Sequence, residues 1–208
     1  MRCKYLTIER EYGSGGTKIA RLLARQMGIF CYGQEILEEV SKEKDTSVEK
    51  IQYYEETVTN SFLYSIYMIS QITSGKSDML TQEGQIYVAE QAVIRRLAAN
   101  KPAIFLGHCA SEALKEYEGV VNVFIRCTNE EAKRRRIVDE YKIPEAQADL
   151  IRRKFDRKRA NYYSVNTGKK WDQLRNYDLV LDSGKLGEDA CVNILKSLLH
   201  PSALEEES

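Results

Sequence analysis

The chain has 208 residues, 43% apolar and 30% charged, and its 31 basic residues are balanced by 31 acidic ones. That length fits a single domain, 1–208, with a sizeable core. The cancelled charge offers no global field to nucleic acid or a membrane, so neither is expected as a partner.

Five widely spaced cysteines, Cys3, Cys31, Cys109, Cys127 and Cys191, form no CxxC pair. They read as buried reduced thiols, which predicts a cytoplasmic protein without disulfides or a zinc site. The first residues lack the long apolar core of a signal peptide. The most apolar stretch, residues 62–72, is too short to span a bilayer and reads as a buried or cleft-lining helix. The acidic tail, residues 205–208, reads as frayed.

In chain order, residues 5–8 and 30–32 read as strands, the second weakly; 103–106, 120–125 and 179–181 are stronger apolar runs of the kind covered on both faces. Ile19, Leu22, Leu23 and Met27 follow the first strand at helical spacing, and Gly28 stops that helix. Ile86, Ala89, Val93 and Leu97 mark a second helical face, and Ala190, Ile194 and Leu198 a last one. Alternating strands and helices predict an α/β fold with a mainly parallel five-stranded sheet, its ligands at the carboxyl ends of the strands. Residues 45–81 hold no strong strand and many aromatics, and are longer than an ordinary connection. They read as a helical insertion.

The first strand runs into Glu9-Arg10-Glu11-Tyr12-Gly13-Ser14-Gly15-Gly16-Thr17-Lys18, and a helix starts at once. Three glycines in four residues at a strand-to-helix turn can aim successive backbone N–H groups at one anion. A tight turn that binds nothing is the plainer alternative. Aligned through Gly15, the P-loop pattern GxxxxGK[ST] puts its first glycine on Arg10, its lysine on Gly16 and its hydroxyl residue on Thr17. Arg10 and Lys18 flank the loop as substitutes for the lysine. Arg10 is favoured, since a guanidinium matches two phosphate oxygens at once.

Two clusters, residues 133–136 and 152–159, hold ten of the 31 basic residues. Arg152, Asp156 and Arg159 recur at i, i+4, i+7 and so share one helical face. They form either an anion grip with a carboxylate to orient it, or a surface ion ladder of little energetic weight.

These strings resemble the cytidylate-kinase-like family, a branch of the nucleoside monophosphate kinases. REYGSGG is the specific part. Phe30-Cys31-Tyr32, Ile104-Phe105-Leu106-Gly107-His108, Val123-Phe124-Ile125, Asp156-Arg157-Lys158-Arg159-Ala160-Asn161-Tyr162-Tyr163 and Tyr177-Asp178-Leu179-Val180-Leu181-Asp182 follow in order. The resemblance implies a P-loop NTPase fold, ATP as donor, Mg²⁺ as cofactor and a nucleoside monophosphate, CMP or dCMP, as acceptor. It also implies a lid over residues 133–160.

On that resemblance Gly13, Ser14, Gly15, Gly16, Thr17 and Lys18 would hold the donor phosphates, with Thr17 on magnesium. Arg134, Arg135 and Arg157 would act from the lid, and Arg10 and Lys18 would act from beside the loop. The family's RDxxDxxR motif would place acceptor contacts on Arg152, Asp156 and Arg159, with Arg153 where the motif has its first aspartate. The family's GRD is Gly107-His108-Cys109 here. The expected function is phosphotransfer from ATP. The alternative is a nucleotide-binding regulatory module that has lost turnover, which the altered loop favours and the retained arginine set opposes.

Overall fold

In the computed structural model, residues 3–57 and 81–199 are described. The strands are β1 (Tyr5–Arg10), β2 (Phe30–Tyr32), β3 (Ala103–Leu106), β4 (Val120–Arg126) and β5 (Leu179–Asp182). They form one all-parallel sheet in the order β2-β3-β1-β4-β5. The predicted strands are all present, three of them extended by one or two residues. β1 lies in the middle, so the glycine-rich turn leaves from the centre of the sheet.

The helices are α1 (Gly16–Met27), α2 (Gln34–Lys44), α3 (Val48–Thr57), α4 (Gln82–Asn100), α5 (Ala110–Ala113), α6 (Glu130–Asp139), α7 (Glu145–Thr167), α8 (Ser183–Leu186) and α9 (Glu188–Leu198). α1 ends at Gly28, whose N–H caps the Ala24 carbonyl from the left-handed region, as the sequence predicts.

Strand side chains alternate between two cores. Leu6 and Ile8 of β1, Ile104 and Leu106 of β3, and Val123 and Ile125 of β4 pack against Ile19 and Leu23 of α1 and Leu195 of α9. Ala103 and Phe105 turn the other way, onto Ile36 and Val40 of α2 and Val93 and Ile94 of α4. Each fully buried aliphatic or aromatic side chain contributes roughly 1.5–3 kcal/mol. A third cluster beside β4 gathers Phe124, Tyr163, Trp171 and Tyr177.

One helical face needs correcting. α9 buries Cys191, Val192 and Leu195, while Ile194 and Leu198 are only partly buried and Ala190 is half-buried. The spacing identified the helix, but Cys191 and Val192 set its rotation. Four of the five cysteines are buried and all five are free thiols; Cys31 is half-exposed. The 62–72 stretch, most of the 45–81 insertion, and the tail lie outside the described residues. No helix among the described residues is long and apolar enough to cross a membrane.

Candidate functional site

The loop from Glu11 to Gly15 leaves the carboxyl end of β1, where a parallel sheet places ligands. Arg10 is the last residue of β1, and its side chain runs beneath the loop rather than away from it. An added Cβ on Gly16 would meet Arg10 Cβ at 2.7 Å and Cγ at 3.0 Å, and one on Gly107 would meet Arg10 Nη1 at 2.8 Å. Two glycines 91 residues apart therefore leave a corridor for one arginine, from the start of α1 to the end of β3. Along it Arg10 Nε donates to Thr17 Oγ1 at 3.4 Å. Burial, and next the neighbouring Arg159 guanidinium, push the Arg10 pKa down to about 10, against the pull of Glu9. The side chain is still charged at neutral pH.

α6 and α7 close over the loop. On α6, the inward face is Lys133, Arg136 and Ile137. Lys133 is buried, and its ammonium pairs with Glu11 at 3.0 Å and Glu130 at 3.2 Å. Arg136 donates through Nη1 to the Gly13 carbonyl at 3.3 Å and through Nε to Glu188 at 3.0 Å. Ser183 donates to the Ser14 carbonyl at 2.6 Å, fixing the loop from β5's side.

α7 holds Tyr12. The Tyr12 N–H donates to Asp156 Oδ1 at 2.7 Å, the ring stacks on Phe155 at 4.7 Å, and Arg159 lies 5.7 Å from its centroid. Arg159 Nη1 also donates to the Arg10 carbonyl at 2.8 Å. Burial raises the Asp156 pKa against the opposing Tyr12 N–H and Arg159.

Arg152, Asp156 and Arg159 do share a face, turned toward α6 and the loop, but they do different things there. Arg152 pairs with Glu130 at 3.5 Å, and Asp156 engages loop backbone. Arg159 alone of the three lines a cavity of about 450 Å³ between α7 and the sheet. Lys18 is half-exposed and pairs with Glu188 at 2.8 Å and Glu140 at 3.4 Å, beside Arg135 in a separate mixed-charge cleft of about 390 Å³. Arg134 pairs with Asp149 at 2.7 Å on the surface, and Arg135 and Arg157 are exposed. Lys133 and Arg136 escaped the sequence reading. Ile137, the apolar residue next to the arginine run, was the signal: it shares its face with Lys133 and adjoins Arg136, turning Arg134 and Arg135 outward.

Two cavities meet at the loop. One of about 210 Å³ is bounded by Gly16, Thr17, Tyr12 and Tyr141. The other, about 450 Å³, lies between α7 and the ends of β1 and β3, and is lined among others by Glu9, Gln34, Gln52, His108 and Tyr162. Arg10 and Arg159 line both. Among the described residues no group of three His, Cys, Asp or Glu gathers as a metal cage. Glu9 accepts from Trp171 Nε1 at 2.9 Å, and Glu11 is taken by Lys133 and the Cys127 N–H. A magnesium ion arriving with a nucleotide would find the Thr17 hydroxyl, whose 3.4 Å contact with Arg10 is long enough to exchange.

The model of the cytidylate kinase-like family matches residues 5–185. The chain belongs to that family. With a glycine-rich loop leaving the central strand of a 2-3-1-4-5 parallel sheet, it has the P-loop kinase fold. A crystal structure of an uncharacterized protein from Eubacterium ventriosum is similar over 94% of this chain and 97% of that one, at 23% identity and TM-score 0.68. Two shikimate kinases are more distant. That of Bacteroides thetaiotaomicron shows 12% identity and TM-score 0.49 over 94% of this chain and 97% of that one. That of Acinetobacter baumannii, in complex with shikimate, shows 15% and 0.46 over 95% and 93%. No curated protein matches.

Proposed function

We propose that this chain is a phosphotransferase that moves the γ-phosphoryl group of ATP onto a nucleoside monophosphate of the CMP or dCMP kind. One observation carries the reading: Arg10 and Arg159 stand between the loop-side cavity and the larger one and line both. Phosphoryl transfer needs positioning and charge neutralisation more than covalent work by the protein. A pair of guanidiniums on the partition between two cavities meets that need.

In this mechanism the loop from Gly13 to Thr17, with its backbone held by Arg136 and Ser183, receives the donor phosphates. Arg10, reaching beneath Gly16, takes the part of the absent loop lysine. Arg159 neutralises charge from the acceptor side, and Asp156 keeps the Tyr12 end of the loop docked to α7. Arg134, Arg135 and Arg157 are the exposed lid cations, and Lys18 is an exposed cation on α1 beside the loop. Magnesium held by Thr17 would supply further neutralisation of the triphosphate. An anionic acceptor phosphate needs no base.

The test is calorimetric binding of ATP and CMP followed by ADP release with each monophosphate. The expected result is transfer that falls by about 10²–10³ in Arg10→Ala, the usual cost of one electrostatic stabiliser. Binding of ATP with no transfer to any acceptor would instead support the regulatory reading.

A further inference from the structure

The end of β3 is built unlike an ordinary turn. Gly107, His108 and Cys109 follow one another in the left-handed region, at φ 74°, 54° and 51°. Two of the three carry side chains, and such runs are rare except where the surroundings enforce them. Here the enforcement comes from α4. Gln91 Nε2 donates to the His108 carbonyl at 2.9 Å, and one residue earlier Glu90, fully buried, faces His108 Nδ1 through Oε2 at 3.5 Å. Tyr162 of α7 donates its hydroxyl to that same Glu90 oxygen. Cys109 turns into the core, and the His108 ring lines the 450 Å³ cavity beside Arg10 and Arg159.

This is a carboxylate–imidazole pair, anchored by a phenol, at the floor of the acceptor cavity. A carboxylate facing Nδ1 at 3.5 Å favours a proton on that nitrogen and leaves Nε2 as the edge turned away from it, the arrangement a general base uses. Contacts of this kind run long without substrate and tighten in the complex. A phosphate acceptor has no use for a base, but a hydroxyl acceptor does.

Resting on the phosphotransferase reading above, we infer that the cavity also takes an alcohol as acceptor, of nucleoside size, with His108 as general base and Glu90 as its positioning residue. The carboxamides of Gln34 and Gln52 on the cavity wall suit the polar edge of a base. In the step, His108 Nε2 takes the hydroxyl proton as the oxygen bonds to the γ-phosphorus. The bond from that phosphorus to the β,γ-bridging oxygen breaks, and ADP leaves with the electron pair. The imidazolium, facing Glu90, then releases its proton to solvent.

The experiment supplies ATP with the four ribonucleosides and their deoxy counterparts, and separately with CMP, and identifies products by mass and phosphorus NMR. The expected result is a nucleoside phosphomonoester whose rate of formation falls about 10²–10⁴-fold in His108→Asn, the range for loss of a general base. Asparagine tolerates the left-handed backbone. Glu90→Gln is expected to lower kcat with little change in nucleoside KM. ATP affinity and melting temperature serve as folding checks.

Phosphoanhydride from CMP with no monoester from any nucleoside overturns the inference and leaves the proposed function standing. Monoester formed equally fast by folded His108→Asn also overturns it. No transfer to either acceptor class, with ATP still bound, overturns both.

Discussion

Arg10 occupies the space that a side chain at Gly16 would need, its Cβ lying 2.7 Å from the Cβ position there. The contact lies between backbone-proximal atoms, so rotation of the arginine tip cannot relieve it. An arginine at position 10 and a lysine at position 16 are therefore alternatives within one corridor.

The first prediction follows from that exclusion. Gly16→Ala is expected to cost about 1–3 kcal/mol through overpacking and to weaken ATP binding. Arg10→Gly with Gly16→Lys, which restores the spacing of the P-loop pattern, should recover binding relative to Arg10→Gly alone. Calorimetric affinities for the two single variants and the double variant complete the cycle. Additive losses would mean that the two positions do not share a corridor.

Asp156 is expected to act through the loop. Asp156→Ala should loosen Tyr12 and weaken ATP binding by about tenfold or more, since hydrogen bonds to charged groups contribute roughly 1.5–3 kcal/mol. Its partly buried carboxyl titrates above the ordinary aspartate value. A raised carboxylate holds its proton more tightly folded than unfolded. Its stabilising effect is thus complete below the unfolded value, about 3.9, and is lost as pH rises through the folded one. Asp156→Asn retains an acceptor for the Tyr12 N–H and removes that titration. Urea midpoints taken between pH 3.5 and 7 should show the variant gaining on wild type as pH rises.

Glu188 should show the opposite sign. Burial works to raise its pKa, but Lys18 and Arg136 outweigh burial and hold it below the ordinary value. The stability it contributes is present above about pH 4.3 and is lost as pH falls through the depressed folded value. Glu188→Gln should cost about 1–3 kcal/mol at pH 7, because Arg136 loses the carboxylate that steadies its bond to the Gly13 carbonyl. Lys18→Ala, at a half-exposed ion pair, should cost under about 1 kcal/mol. Equal losses in the two variants would show that Lys18, rather than Arg136, is the partner that matters.

Tyr12 is the aromatic point at which α7 docks. It stacks on Phe155 with ring planes 9° apart and meets Tyr141 edge-on at 5.0 Å. Removing it in Tyr12→Ala forfeits about 0.5–1.5 kcal/mol per aromatic pair beyond the area buried. Amide exchange along residues 150–160 should then speed up, while the β1 and β3 amides keep their protection. Unchanged exchange in α7 would show that Asp156 and Arg159 suffice to hold it.

The sequence alone determined the five strands, the first helix with its glycine stop, and the loop at the end of β1, because local spacing and apolar runs report burial directly. REYGSGG was legible as a tight strand-to-helix turn, because Gly13 and Gly15 take the left-handed backbone that glycine adopts readily. Facing was harder to read. α9 turned out rotated from the Ala190 spacing, and α6 presents Lys133 and Arg136 rather than Arg134 and Arg135, because a basic run does not say which of its members looks inward.

The pairings that make the candidate site were decided only by tertiary structure. Arg10 meets Gly107 across 97 positions, Tyr12 meets Asp156 across 144, and His108 meets Glu90 because α4 leads back into β3, so that the middle of the helix lies beside the strand's carboxyl end. Such contacts depend on the order in which strands join the sheet and on how far each helix turns about its axis. Neither leaves a periodic mark in the chain, so both emerge only once the parallel sheet has brought the carboxyl ends of its strands to one edge.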